Sequence, residues 1–291
     1  MVISTRFAPS PTGRLHLGHA WSAICAHDRA KSEGGRFLLR IEDIDGTRSR
    51  PEFVEAILDD LTWLGLGWDG PIAFQSARVA LYDDALETLR ASGHAYRCFC
   101  TRTEIEAHIA ASGSAPHAGD APPRHPASCR YRKPQETMKR LTRGEPCAWR
   151  LAIEDAFTPR FGIGWTDEIA GPQVAWPFAA GDVVLWRKDA PASYHLAVTV
   201  DDAAQGISRV VRGKDLFAAT HVQRLLQAML GLPTPVYRHH ALLTDSDGNR
   251  LAKRNGAPTL ADLRRDYPDG RLLADRLRSG DLPIGFALAK D

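Results

Sequence analysis

The chain has 291 residues, 44% apolar and 25% charged, and its 37 lysines and arginines nearly balance 35 aspartates and glutamates for a net charge of +2. This is the composition of a globular protein with one large or two moderate domains, and it excludes a disordered chain. No apolar run reaches the roughly 18 residues that span a bilayer and residues 1–10 lack a signal-peptide core, so a cytoplasmic location with no membrane partner is expected. Five cysteines in such a setting argue for free thiols or a metal rather than disulfides.

Val2 to Phe7 reads as a strand, Pro9, Pro11 and Gly13 break regular structure, and Leu17 to Lys31 reads as a helix. The first turn of that helix offers unpaired backbone N–H groups at the positive end of its dipole, where phosphate is favoured. His16 and His19, three residues apart, project near that end, and Gly18 leaves room for a flat ligand against the backbone.

His16-Leu-Gly-His19 resembles the HIGH signature of class I aminoacyl-tRNA synthetases. Together with Arg6-Phe-Ala-Pro-Ser-Pro-Thr-Gly13, it is similar to the glutamyl and glutaminyl members in particular. The resemblance implies that His16, Gly18 and His19 bind ATP and that both histidines are catalytic.

Arg36 to Ile41 reads as a second strand, and it delivers Glu42-Asp-Ile-Asp-Gly-Thr-Arg48 to a strand end, where ligands gather in open α/β sheets. The stretch resembles the Arg-Ile-Glu-Asp-Thr-Asp signature of the same enzymes, with Ile44 in the threonine position, which implies that Glu42 pairs with the α-amino group of the substrate. Pro51 to Leu64 is an amphipathic helix ending at Gly65. Gly65 to Gly70 satisfies G-x-G-x-x-G but carries bulky Trp68, is followed by Pro71 and lacks a strand feeding a helix, so a loop is expected. Ala77 to Ala91 is the next helix.

From His94 the pattern changes to Tyr96-Arg-Cys98-Phe-Cys100, a polar helix from about Thr103, and a segment from Ser112 to Pro134 rich in Ala, Pro, Gly and Arg, which reads as an insertion. Cys98, Cys100, His125 and Cys129 supply the ligands of a tetrahedral structural zinc site, with His117 and Tyr131 as alternatives to His125. The glutamyl-queuosine tRNA(Asp) synthetases, a truncated glutamyl-type group, resemble this chain in carrying such a zinc, with a tyrosine at the position of His125. Arg124, Arg130, Arg132, Lys133, Lys139, Arg140 and Arg143 form a basic segment suited to tRNA phosphates.

The sheet is expected to resume near Gly181, because Asp182 to Arg187 and Tyr194 to Asp202 are rich in β-branched and aromatic residues. Ser208 to Gly213 is the next strand and Asp215 to Leu230 the next helix. Resemblance to the second half of the glutamyl synthetase fold puts Tyr194 and Arg212 in the amino acid pocket. An arginine matches a carboxylate with paired donors, whereas an amide brings N–H groups of its own, so Arg6 and Arg212 favour glutamate over glutamine. Ser10 joins them. Arg250-Leu-Ala-Lys253-Arg254 resembles the KMSKS signature in degenerate form, which implies a catalytic, ATP-binding Lys253. Thr259 to Arg278 reads as one or two short helices, with no residues left for an anticodon-binding domain.

The expected fold is an α/β, Rossmann-like, parallel-sheet class I synthetase core with an inserted zinc-containing α+β subdomain and a short helical C-terminal region. The expected limits are 1–95 and 179–243 for the halves of the catalytic domain, 96–178 for the insertion and 244–291 for the signature loop and C-terminal helices. The resemblance implies activation of L-glutamate with ATP and Mg2+, transfer of the glutamyl group to queuosine in the anticodon of tRNA(Asp), one structural Zn2+ and a monomer. The rival readings are a truncated enzyme charging tRNA(Glu), a catalytically idle tRNA-binding paralogue and another HxGH nucleotidyltransferase.

Overall fold

The computed structural model describes residues 2–111, 125, 129–157, 162–245, 251 and 258–289. The chain opens with β1 (Ser4–Phe7), α1 (Leu17–Lys31) and β2 (Arg36–Ile41), a right-sized βαβ unit whose strands pair in parallel with Arg6 beside Leu38. The helix and the second strand have the bounds expected from sequence, while the first strand begins at Ser4 rather than Val2. Ala20, Ala23, Ala26 and Ala30 are buried at 0–1% exposure, and small side chains on that face let the helix lie close against the strands. α2 (Pro51–Trp63) begins on its proline and stops at Gly65, whose φ of 74° suits a residue without Cβ. Gly65 to Gly70 is a loop, β3 (Ala73–Phe74) extends the sheet beside β2, and α3 (Val79–Ala91) follows.

The insertion contributes β4 (Ala95–Cys98), α4 (Arg102–Ala111), α5 (Pro134–Thr142), β5 (Ala148–Leu151) and the short α6 (Ile153–Ala156). β6 (Gly164–Asp167) and β7 (Gly171–Val174) then form a hairpin, followed by β8 (Val184–Trp186). Strand pairing crosses the limits expected from sequence. β8 joins the antiparallel sheet β4-β5-β8 rather than the parallel one, and β6 joins the parallel strands of the second half.

Tyr194 to Ala204 is a helix, α7, and not the strand that its valines and tyrosine suggested. Every residue from Leu196 to Asp202 is buried, because α7 lies between α3 and the later helix α8 (Phe217–Met229). Burial on all sides erases the 3.6-residue period, and a short apolar run then looks the same for a buried helix and a buried strand. β9 (Arg209–Gly213) precedes α8, and β10 (Val236–His240) pairs with it in parallel. β11 (Leu243–Asp245) leads towards the signature segment. After it come α9 (Leu260–Leu263), α10 (Gly270–Ser279) and β12 (Phe286–Leu288), which pairs back on β11.

The two parallel sets meet between β1 and β9, where the Ser208 N–H donates to the Ser4 carbonyl at 3.0 Å. From that seam β1 connects outward to β2 and β9 outward to β10, which opens a crevice at their carboxyl ends. Leu260, Leu263, Leu273 and Leu277 are buried in one cluster with Leu17 and Ile57, so the C-terminal helices brace the first half. Among the described residues no helix is long and apolar enough to cross a membrane.

Candidate active site

A cavity of about 330 Å³ occupies that crevice and is lined by Arg6, Ser10, His16, Gly18, His19, Glu42, Tyr194 and Arg212, with Trp21, Asp215, His240 and Leu251 among its other walls. The residues from the two signatures and from the second half therefore converge on one space. Leu251 is the described residue of the KMSKS-like segment that reaches it, buried at 7% exposure. Lys253 lies outside the described residues, as do Arg124 and His117.

The two histidines form a reciprocal cap on α1. Nδ1 of His16 accepts from the Gly18 N–H and Nδ1 of His19 accepts from the His16 N–H, each at 3.1 Å, and the rings lie 3.8 Å apart. With both Nδ1 atoms accepting, each neutral ring carries its proton on Nε2, a donor suited to phosphate oxygen. A Cβ on Gly18 would stand 3.1 Å from Cε1 of His16, tight enough to displace the ring. A backbone bridge sets Thr259, which follows the signature segment in the chain, beside His16 of this cap.

Beneath the cavity lies a buried charge network. Arg6 donates through Nε to Asp202 Oδ1 at 2.9 Å and through Nη2 to Oδ2 at 3.2 Å, while Nη1 donates to the Val211 carbonyl at 3.4 Å. Arg40, fully buried, donates to the same Asp202 at 2.8 Å and stands 3.6 Å from Glu42. Asp201 points the other way and accepts from Arg78, Gln75 and Tyr82 at 2.6 to 2.8 Å. Burial alone would raise the Asp202 carboxyl, but Arg6 and Arg40 hold it below its ordinary value. Glu42 goes the other way: burial pushes it up to about 7 against the pull of Arg40 and Arg6, with Asp202 and Asp201 adding to the rise.

Arg212 differs from Arg6 in its company. It is 5% exposed, and it donates to His239 Nε2 at 3.1 Å, to the Tyr194 hydroxyl at 3.3 Å, and to Thr220 Oγ1 at 2.7 Å. No carboxylate among the described residues is within ion-pair distance of it. Its hydrogen-bond partners are all neutral, so the guanidinium keeps an uncompensated charge at the cavity wall, suited to an anion.

A second cluster lies in the insertion. The ligand atoms of Cys98, Cys100, His125 and Cys129 all fall within 4.8 Å of one another, with Cys98 Sγ 3.2 Å from His125 Nε2 and Cys100 Sγ 3.1 Å from Cys129 Sγ. Tetrahedral zinc bonded to sulfur and nitrogen at its usual lengths spaces its ligands about 3.3 to 3.8 Å apart, and three thiols and an imidazole gathered within 4.8 Å are a donor set compatible with that ion. The Tyr96 hydroxyl stands 3.3 Å from His125 Nδ1 and donates to Asp182 at 2.8 Å, an outer support of the kind that orients metal-binding histidines. Tyr131 is 73% exposed, whereas His125 is 7% exposed and stands against Cys98, so His125 is the better fit to the fourth position.

The family model of class I tRNA synthetases (E and Q), catalytic domain, matches residues 2–273. The chain belongs to this family. A Rhodobacter capsulatus protein named glutamyl-Q tRNA(Asp) synthetase is 48% identical over 269 residues, which cover 90% of this chain and 95% of the relative. A glutamate–tRNA ligase of a Synechococcus species is 40% identical over 272 residues, 91% of this chain and 55% of the ligase. The crystal structure of glutamate–tRNA synthetase from Elizabethkingia anophelis aligns with a TM-score of 0.74 at 32% identity, covering 88% of this chain and 53% of that one. The chain spans about half the length of these last two synthetases.

The basic segment of the insertion is partly self-neutralised. Arg130 pairs with Glu154 and Asp155, Arg132 with Glu136, and Arg140 with Glu145, leaving Lys133, Lys139 and Arg143 as its exposed cations among the described residues. Sequence reasoning missed Arg40, Asp167, Asp202 and His239. The one available signal was Asp201-Asp202 at the end of an apolar run: two adjacent buried acids require cations from elsewhere in the chain.

Proposed function

We propose that this chain activates L-glutamate with ATP to glutamyl adenylate and pyrophosphate, and transfers the glutamyl group to queuosine in the anticodon of tRNA(Asp). The observation that carries the amino acid is Arg212, a buried cation in the cavity with no carboxylate among the described residues within ion-pair distance. A glutamate side chain supplies the missing anion. The α-ammonium group then faces Glu42, and Arg6, Ser10 and Tyr194 complete the pocket.

In the adenylation step the α-carboxylate of glutamate attacks the α-phosphate of ATP, the new C–O–P link forms, and pyrophosphate leaves. No side-chain nucleophile is required. His16, Gly18 and His19 hold the nucleotide at the helix N-terminus, and Lys253 stabilises the negative charge that grows on the phosphate. ATP enters with magnesium carried on its phosphates. Cys98, Cys100, His125 and Cys129 hold a structural zinc that ties the loop-rich insertion together.

The acceptor rests on the Rhodobacter relative, which this chain matches over 95% of its length. The 40% identity to a glutamate–tRNA ligase favours a second reading, in which the acceptor is tRNA(Glu). Glutamate-dependent exchange of pyrophosphate into ATP tests the activation step: exchange with glutamate and not with glutamine supports it, and no exchange with either, with tRNA present, refutes it.

A further inference from the structure

A line of buried hydrogen bonds runs from β6 through β10 to Arg212 on β9. Asp167, at the end of β6, accepts from the backbone N–H groups of Ile169 and Ala170 at 2.8 and 2.9 Å, and from the His239 N–H at 3.1 Å. Its Oδ2 also lies 2.7 Å from His239 Nδ1, and the two side chains are 1% and 2% exposed. The other ring nitrogen, Nε2, is 3.1 Å from Arg212 Nε and 3.2 Å from Thr220 Oγ1.

The donors and acceptors fit one tautomer. Asp167 is acceptor-only as a carboxylate, so the nitrogen facing it carries the proton, and Nε2 is then a bare acceptor for the Nε–H of Arg212. A ring protonated on Nε2 would set N–H against N–H. Burial and the neighbouring Arg212 also push the imidazole down to about 4, which keeps it neutral. Arg212 Nε has no other acceptor among the described residues, and Nη2 is tied to Thr220 Oγ1 at 2.7 Å. A planar guanidinium fixed on those two nitrogens has one orientation, with Nη1 turned to the Tyr194 hydroxyl at the cavity.

We propose that Asp167 and His239 are positioning residues that aim Arg212 at the side-chain carboxylate of the substrate, acting through the Nδ1–H tautomer of His239. The proposal rests on the reading of Arg212 as the contact to glutamate. With Nε on His239 and Nη2 on Thr220 and the Leu216 carbonyl, Nη1 is the nitrogen left to meet a carboxylate, and its direction follows the plane of the guanidinium; loss of aim therefore costs affinity for glutamate and its discrimination from glutamine, and leaves ATP binding alone.

Two variants of one residue separate aiming from bracing. In His239→Gln the amide oxygen replaces Nε2 as acceptor for Arg212, whereas in His239→Asn the amide N–H replaces Nδ1 as donor to Asp167 and leaves Arg212 Nε unpaired. Aiming makes Asn the worse change: its KM for glutamate in pyrophosphate exchange rises about tenfold or more, with KM for ATP unchanged, while Gln stays within about threefold. Asn milder than Gln, or the two KM values rising together, overturns the proposal. Imidazole nitrogen NMR of the unaltered protein supplies an arm that does not depend on the substrate. A bare Nε2 on His239 supports the relay even if glutamate is not activated, in which case the assignment of the substrate falls instead; a protonated Nε2 overturns the relay whatever the substrate is.

Discussion

Arg6 and Asp202, 196 residues apart in the chain, are joined by two parallel hydrogen bonds of 2.9 and 3.2 Å in the floor of the cavity. The pair ties β1 to α7, and Arg40 donates to the same carboxylate. Replacing Asp202 with Asn preserves shape but leaves two buried arginines short of a counter-charge, a change that costs about 3–5 kcal/mol when a buried pair is broken. Denaturant unfolding of Asp202→Asn should show a loss of that size, and a loss under about 1 kcal/mol contradicts the role given to the pair.

Glu42 gives the site a pH dependence. Its carboxyl rises from an ordinary 4.5 to about 7, chiefly through burial, and the carboxylate form is the one that pairs with an α-ammonium group. Below 7 the group is protonated in the free protein, so kcat/KM for glutamate should climb about tenfold per pH unit up to that point and then level off. Glutamate binding should also release a proton near pH 6.5, read by calorimetry in buffers of different ionisation enthalpy. The sign for stability is opposite: the unfolded chain loses this proton at lower pH than the folded one, so Glu42 weakens the fold as pH rises from 4.5 through 7. A flat profile in Glu42→Gln and a sloped one in the unaltered protein is the expected pair of results.

Gly18→Ala should separate stability from activity. Alanine in a helix is favoured over glycine by up to about 1 kcal/mol, yet the new Cβ presses on the His16 ring. The variant should melt no lower than the unaltered protein and show KM for ATP raised about tenfold, the order expected when a positioning group shifts by a fraction of an ångström. Unchanged kinetics would remove the histidine cap from the nucleotide site.

Metal analysis should find one zinc per chain, lost in Cys98→Ser. Chelation should open the insertion to protease between β4 and β5 while near-ultraviolet signals from the catalytic half persist. No bound metal in the purified protein, or metal content indifferent to Cys98, contradicts the site.

The first half of the fold and the candidate pocket were legible in sequence because their signals are local. The break at Pro9 to Gly13, the histidine pair and the helix from Leu17 to Lys31 sit within one stretch of chain, and the Cys98-x-Cys100 and His125-x-x-x-Cys129 spacings announce a cluster. The supports of the pocket were not legible, since Arg6 finds Asp202 across the whole molecule and Asp167 finds His239 from 72 residues away. α7 failed as a strand because complete burial hides periodicity, and that error also hid Asp201 and Asp202, which accept from Arg78 and from Arg6 respectively and share Arg40 between them. β8 was assigned to the wrong sheet because strand composition does not encode its partner.

The central claim is the acceptor, and one transfer assay reaches it most directly: labelled glutamate, ATP and this protein with bulk tRNA, run beside tRNA from cells unable to make queuosine. Label is expected on tRNA(Asp) that carries queuosine and none on tRNA lacking it. Label on tRNA(Glu) irrespective of queuosine contradicts the account and establishes the alternative acceptor.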